Sequence, residues 1–171
     1  ILGENRVIVS DIPGTTRDAI DTFYEIDGRR YMFIDTAGIR RKSRIDENIE
    51  KYSIIRSWSA VDRADVCVVM IDANDGVTEQ DTKIAGYAHE QGKASIIVIN
   101  KWDLVEKETG TMEEYRKKVQ QDLEFMSYAP VLFISAKTGR RVERLFELID
   151  FVNNQASFRV QTGVLNDVLN D

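Results

Sequence analysis

Apolar positions along the chain fall into short continuous runs that are separated by longer amphipathic stretches. Three of the runs are rich in β-branched residues, as expected of strands buried on both faces of a sheet, and they cover residues 66–71, 94–99 and 131–134. Between and after them, apolar residues recur at helical spacing. Strands that alternate with helices predict a mostly parallel sheet with helices on both faces, an α/β fold.

Four helices follow from the same pattern. The first is predicted over about residues 46–62. The second begins at Thr78, where Thr78 and Asp81 resemble a capping box, and it ends near Gly92. The third is expected to be capped by Thr111. The last two helices have apolar faces formed by Tyr115, Val119 and Leu123, and by Val142, Leu145, Phe146, Ile149 and Val152.

The N-terminal part of the chain has a different pattern. Two strands at about residues 22–26 and 30–34 are joined by Asp27-Gly28, a dipeptide typical of two-residue hairpin turns. Ahead of them, Pro13-Gly14 marks a turn within a polar loop. One antiparallel hairpin is therefore expected beside the parallel strands.

Composition places the chain among ordinary globular domains. Its 171 residues are 43% hydrophobic and 30% charged, which suits one domain with a core of its own. The net charge of −6 argues against electrostatic capture of nucleic acid by the domain as a whole. One Cys and one His exclude a zinc site of the usual kind, and Cys67, within an apolar run, is expected to be a buried thiol. With no apolar run of the roughly 20 residues that a membrane span needs, we expect a cytoplasmic protein that does not contact membranes.

Three predicted strands end in unusual polar sequences. In open parallel sheets, ligands bind beyond the carboxyl ends of the strands. Each of the three sequences is a weak signal alone, but together and in this order they indicate a guanine-nucleotide-binding protein. The three sequences are Asp35-Thr36-Ala37-Gly38, Asn100-Lys101-Trp102-Asp103 and Ser135-Ala136-Lys137.

The residue types in the last two sequences suit guanine. The carboxylate of Asp103 can accept hydrogen bonds from the N1–H and the exocyclic amine of guanine, a donor pair that adenine lacks; sites of that kind reject the wrong ligand by about 10⁴-fold. Asn100 is expected to brace the loop and the Lys101 stem to cover one face of the base. Backbone N–H groups of residues 135–137 can bond the guanine carbonyl. The alternative for Asp103 is a capping residue in a helix-entry loop.

The remaining candidates concern the phosphates and the metal ion. Asp35 can hold Mg²⁺ through water, and Gly38 lets a backbone N–H approach the γ-phosphate. The loop over residues 11–18 is interpreted as a mobile segment that folds over both, although a simple turn explains it too. Thr16 is the expected metal ligand within it, with Thr15 as the neighbouring alternative, so Thr16 and Gly38 are the candidate catalytic residues.

These motifs resemble a known group of translation-associated GTPases, the TrmE–Era–EngA group. Residues 38–42, 84–90 and 159–167 resemble, within that group, the second G domain of the bacterial Der (EngA) double-GTPase family. The resemblance covers essentially the whole chain. It implies a three-layer P-loop GTPase (Ras-like) fold over residues 1–156, followed by a linker or short helix over residues 157–171 that leads toward a KH-like domain.

The same resemblance implies a function. Members hydrolyse GTP to GDP with Mg²⁺ as a conformational switch, and they bind the large ribosomal subunit, its rRNA and its proteins, during assembly. The other G domain and the KH-like domain of the same parent protein are implied partners. Ile39 stands where Ras-like proteins carry a catalytic glutamine, so slow intrinsic turnover and stimulation by K⁺ are implied.

The chain departs from the family in one respect. The phosphate loop G-x-x-x-x-G-K-[ST] and the strand before it do not occur among the 171 residues. That strand is expected in the middle of the sheet, between the strands at residues 30–34 and 66–71, so we expect a truncated copy of a longer protein. The alternative function is a nucleotide-dead fragment that binds protein or RNA, and a weaker alternative is the TrmE G domain, against which residues 161–167 argue.

A basic cluster follows the Asp-x-x-Gly sequence, at Arg40, Arg41, Lys42 and Arg44. It is interpreted equally well as a solvated mobile loop or as a surface that contacts ribosomal RNA. His89 lies late in a predicted helix, where a histidine favours the helix dipole, and its position does not indicate catalysis.

Overall fold

The computed structural model describes residues 21–34, 57–106 and 108–158. The strands in these ranges are β1 (Asp21–Ile26), β2 (Arg29–Ile34), β3 (Val66–Asp72), β4 (Ala94–Asn100) and β5 (Val131–Phe133). The helices are α1 (Glu79–Glu90), α2 (Thr111–Asp122) and α3 (Glu143–Ala156), with a 3₁₀ turn at Glu124–Met126. Residues 57–63 are also helical. They overlap the last residues of the helix predicted over about residues 46–62, and the rest of that prediction lies outside the described residues.

Strands β3, β4 and β5 form a parallel sheet, as predicted, and they lie in that order. The register pairs Asp72 of β3 with Asn100 of β4, and Ile99 of β4 with Phe133 of β5. All three strands therefore reach the same edge of the sheet with their carboxyl ends. Loops that follow these strands are brought side by side by this register.

The central strand β4 is buried on both faces. Ile97 and Ile99 point into a core that includes residues of α1 and α2, whereas Ile96 and Val98 point into a second core that includes residues of α3. Because successive side chains of a strand point to opposite faces, one continuous apolar run serves both cores. The result is the three-layer α/β arrangement that the sequence predicts.

Strands β1 and β2 form an antiparallel hairpin, closed by the pair Ile26 and Arg29. Asp27 and Gly28 both have positive φ, 50° and 75°, as a two-residue type I′ turn requires. The prediction of a hairpin at this dipeptide is confirmed. In the described ranges the hairpin and the three-stranded sheet are separate sheets.

Side chains join the hairpin to the rest of the structure. The Phe146 ring on α3 packs against Tyr24, Tyr31 and Phe33 of the hairpin, with ring centroids 5.3, 5.2 and 6.0 Å away. Ion pairs add to this contact, one between Arg29 and Asp150 and one between Arg63 and Asp21. The Tyr31 hydroxyl also donates a hydrogen bond to the Asp150 carboxylate, at 3.1 Å.

A cavity of about 580 Å³ lies between strands β2 and β3. Residues of both strands line it, and so do residues of α3 and of the helical segment 57–63. Cys67 on β3 lines the cavity and is buried, as predicted. The cavity separates the hairpin from the parallel sheet.

Two predicted helix caps have different outcomes. Thr78 caps α1 through a complete capping box with Asp81, as predicted. The prediction that Thr111 caps α2 is wrong: the N-cap is Gly110, which has a φ of 96°. The hydroxyl of Thr111 instead bonds Glu108, accepting from its N–H at 2.9 Å and donating to its carbonyl at 3.1 Å. It closes the preceding turn, and Thr111 is the first residue of the helix.

No helix in the described ranges combines the length and the apolar character that crossing a membrane requires. Nor do these ranges contain three or more His, Cys, Asp or Glu side chains grouped so as to hold a metal ion.

Candidate functional site

The loops after β4 and β5 meet at the carboxyl edge of the parallel sheet. The N–H of Ile134 donates to the carbonyl of Ile99 at 2.8 Å, and the N–H of Trp102 donates to the carbonyl of Ile134 at 3.1 Å. These two bonds continue the strand pairing beyond Phe133. The sequence Asn100–Asp103 is thereby placed directly beside residues 135–137.

The side chain of Asn100 joins the two loops. Its Oδ1 accepts a hydrogen bond from the N–H of Ala136 at 2.9 Å, across 36 positions of the chain. A ligand carbonyl that approaches the Ala136 amide would therefore share this bond or replace it. Asn100 links the shape of one loop to the shape of the other.

Residues 135–140 form a turn that is stabilised by its own hydrogen bonds. Ser135 is 2% exposed, and its Oγ accepts from the N–H of Thr138 at 3.2 Å. The N–H of Ser135 donates to the carbonyl of Arg140, also at 3.2 Å. Lys137 lies on the exposed side of this turn.

Trp102 anchors the loop after β4. Its side chain is buried and packs against the rings of Phe133 and Tyr115, with centroids 4.5 and 5.3 Å away. Trp102 points inward, whereas Lys101 before it is exposed and Asp103 after it is half-buried. The buried indole therefore holds two polar side chains at the surface of the same edge.

Lys101 itself has a backbone conformation that is uncommon for a residue other than glycine. Its φ is 61°, in the left-handed region. The carbonyl of Lys101 accepts a hydrogen bond from the N–H of Leu104 at 3.0 Å, which closes a tight turn. This turn gives the side chains of Lys101 and Asp103 their directions.

Asp72 also belongs to this edge, and the sequence analysis missed it. It ends β3, and its carboxylate forms an ion pair with the Lys101 ammonium. The hydrogen bond from the Lys101 ammonium to the Asp72 carboxylate is the main reason why the pKa of Asp72 lies below its usual value. Asp72 in turn raises the pKa of Lys101. An acidic residue directly after a buried apolar strand is the signal that points to it.

The structure brings together part of the predicted site. Lys101, Asp103, Ser135, Ala136 and Lys137 lie in the two adjacent loops, and Asn100 is the last residue of β4 at the same edge. The other predicted site residues lie outside the described residues: Thr15, Thr16, Asp35 and Gly38. Ile39 and the basic cluster lie outside them as well.

The described part of the edge has groups suited to a purine base. The carboxylate of Asp103 can accept hydrogen bonds from adjacent N–H groups of a ligand, and backbone amides of the neighbouring turn can donate to a ligand carbonyl. The methylene stem of Lys101 offers an apolar surface to a flat ring. Guanine carries both the donor pair and the carbonyl on one edge, whereas adenine carries neither in that arrangement.

Comparison with known proteins agrees with this chemistry. Residues 1–101 match the family described as 50S ribosome-binding GTPase. The whole chain is 75% identical to the GTPase Der of Ruminiclostridium cellulolyticum and 71% identical to that of Acetivibrio thermocellus. In both cases the match covers 100% of this chain and 39% of the relative. The chain thus spans about two fifths of the length of these relatives.

A solved structure has a similar fold. The chain superposes on Era in complex with MgGDPNP and nucleotides 1506–1542 of 16S ribosomal RNA, with a TM-score of 0.65 and 25% identity. The superposition covers 86% of this chain and 48% of that one.

Proposed function

The chain belongs to the 50S ribosome-binding GTPase family, and on that premise we propose that it is the guanine-reading part of a GTP-hydrolysing switch. Asp103 accepts from the N1–H and amine of guanine, the Lys101 stem covers one face of the base, and amides of residues 135–137 bond its carbonyl. The single observation that carries this proposal is the hydrogen bond from Ala136 N–H to Asn100 Oδ1. It joins the loops that bear these groups into one surface.

The phosphate and metal side of the proposal rests on the resemblance to the family. Asp35 and Thr16 are proposed to hold Mg²⁺, with Thr15 as the alternative, and Gly38 to offer its N–H to the γ-phosphate. When bound, Mg²⁺ neutralises charge that develops on the phosphates. Ile39 cannot orient water, so we propose slow intrinsic hydrolysis that K⁺ accelerates.

Substitution of Asp103 in the full-length protein tests the base recognition. We expect Asp103→Asn to weaken GDP binding by about 100-fold, because the asparagine amide cannot accept from both guanine donors. Xanthine carries a carbonyl in place of the guanine amine, so the same variant is expected to bind xanthosine diphosphate better than the parent does. Fluorescence titration with labelled nucleotides measures both affinities.

A matched control removes a charge nearby. Glu106 is exposed and follows the same loop, so Glu106→Gln is expected to leave both affinities unchanged. Equal GDP affinity of the parent and of Asp103→Asn would refute the proposal. Failure of the full-length parent to bind GDP would favour the alternative, a fragment that binds protein or RNA without nucleotide.

We also propose how this chain sits in a longer protein. Residues 1–156 belong to a G domain, and residues 157–171 lead toward a KH-like domain. The cavity between β2 and β3 has a strand edge on each side, and unpaired strand edges readily accept another strand. A strand that carries the phosphate loop is proposed to fill it. In hydrogen-exchange measurements, the β2 and β3 amides should be better protected in the full-length protein than in this chain alone.

The proposed partner is the large ribosomal subunit, which the protein is proposed to bind in the cytoplasm. The family description and the relatives named GTPase Der support this assignment. Sedimentation of the full-length protein with purified large subunits tests it. We expect more protein to sediment with a non-hydrolysable GTP analogue than with GDP; equal amounts would contradict a nucleotide-dependent switch.

A further inference from the structure

We propose that Asp72 is a positioning residue, which holds the Lys101 side chain in the direction that nucleotide binding requires. The inference rests on the proposed function, since it assigns Lys101 to one face of the base. It concerns a residue that lies on a different strand from the guanine-reading loops.

The register places the two residues at the same edge. Asp72 is paired across the strands with Asn100, the residue before Lys101. The Lys101 ammonium forms an ion pair with the Asp72 carboxylate across these two strands. The side chain of Lys101 is 54% exposed and that of Asp72 is 23% exposed. The carboxylate is therefore the more firmly embedded member of the pair.

The carboxylate of Asp72 is itself held in place. Its Oδ1 accepts from the N–H of Asn74 at 3.0 Å and from the Asn74 side-chain amide at 3.1 Å. The carbonyl of Asp72 accepts from the N–H of Gly76 at 3.0 Å, and the N–H of Ala73 donates to the carbonyl of Asn100 at 2.9 Å. Bonds on several sides leave one carboxylate oxygen directed at Lys101.

A second element braces the same segment. The hydroxyl of Tyr115, on α2, donates to the carbonyl of Ala73 at 3.0 Å. The same Tyr115 ring packs against Trp102. The turn after β3 and the turn after β4 are therefore both fixed to α2. Groups fixed in this way can orient a flexible side chain.

Lysine needs such a partner, because its long stem is flexible. Ordering a side chain of this kind when a ligand binds costs free energy that lowers the affinity. An ion pair formed beforehand orders the Lys101 stem before the nucleotide arrives. The left-handed backbone of Lys101 sets where the stem starts, and Asp72 sets where it ends.

The test is a double-mutant cycle in the full-length protein, with GDP as the probe. We expect Asp72→Asn to weaken GDP binding about 3- to 10-fold, mainly through faster dissociation. In a Lys101→Met background the same substitution should have no further effect. A loss of equal size in both backgrounds would show that Asp72 acts on the fold and not through Lys101. Tighter GDP binding by Asp72→Asn would overturn the inference as well.

A second measurement does not depend on nucleotide. In the ion pair, the Lys101 amine should react slowly with an acylating reagent, and Asp72→Asn should accelerate its modification, as followed by mass spectrometry. Lys137, exposed at the same edge, is the internal reference. Asp75→Asn is the control variant, because it removes a nearby charge and not the hydrogen-bonded partner. If Asp72→Asn left the rate of Lys101 acylation unchanged, the inference would be overturned even if the protein binds GDP. If Asp72→Asn accelerated the acylation but the full-length protein did not bind GDP, only the proposed function would be refuted.

Discussion

The hairpin β1–β2 and the parallel sheet β3–β4–β5 are stabilised by different means. Backbone hydrogen bonds join the three parallel strands, and the central strand β4 is almost inaccessible to solvent from Ile96 to Ile99. In the described ranges the hairpin has no strand pairing with that sheet. Side chains attach it instead, through aromatic packing on Phe146, through ion pairs and through the hydrogen bond from Tyr31 to Asp150.

This difference shows which parts of the candidate site depend on which contacts. The loops proposed to read guanine follow β4 and β5 directly, so they are supported by a strand pair that is buried on both faces. The hairpin borders a cavity and presents partly exposed residues, including Met32 at 44%. Changes in the parallel sheet should therefore affect the whole fold, whereas changes at the hairpin contacts should act locally.

The largest effect is expected from the centre of the parallel sheet. Ile99→Ala removes a fully buried side chain that packs with Trp102 and Phe133. We expect the free energy of unfolding to fall by about 3–5 kcal/mol, through lost burial and the cavity left behind. Urea denaturation measures it. A loss below about 1 kcal/mol would show that this core is loosely packed.

The aromatic contact of the hairpin should give the next largest effect. Phe146→Ala removes the ring that contacts Tyr24, Tyr31 and Phe33. We expect a loss of about 3 kcal/mol, because the burial of the ring and its three aromatic contacts are lost together. Hydrogen exchange should accelerate more in β1 and β2 than in β4. Phe151→Ala, at a residue 56% exposed on the same helix, is the control and should change little.

A smaller effect is expected from the thiol that lines the cavity. Burial raises the pKa of Cys67 to about 11 from an ordinary value of 9.0. Because the neutral form is favoured in the folded state, this contribution to stability is complete below pH 9 and is lost as the pH rises to about 11. Denaturation across that range should show a decline that Cys67→Ala reduces. An identical decline in both proteins would contradict burial of the thiol.

The smallest effect is expected from the exposed ion pair of the hairpin. Arg29→Gln removes the partner of Asp150 but leaves the hydrogen bond from Tyr31. Exposed pairs contribute little because water and salt screen them. The melting temperature should change less than in Phe146→Ala, and the change should vanish at high salt. Arg30→Gln, at the exposed neighbouring position, is the control. If Arg29→Gln lowered the melting temperature as much as Phe146→Ala does, the proposed order of effects would be wrong.

Much of the fold could be predicted from local pattern. The Asp27-Gly28 turn, the capping box at Thr78 and Asp81 and the three buried strands follow from turn chemistry, capping chemistry and periodicity. Thr111 was mispredicted for a physical reason. A threonine near a helix start can bond either the helix or the preceding turn, and sequence alone does not distinguish these two.

Local sequence thus determined which segments are strands, helices and turns, because the periodicity of apolar positions and the chemistry of turns involve only a few neighbouring residues. It also supplied the residue types that suit guanine. Only the tertiary structure decided that Asn100 binds Ala136, that Lys101 pairs with Asp72, and that the hairpin is attached through α3. These contacts join distant positions of the chain, and they depend on the order and register of the strands, which no short stretch of sequence contains.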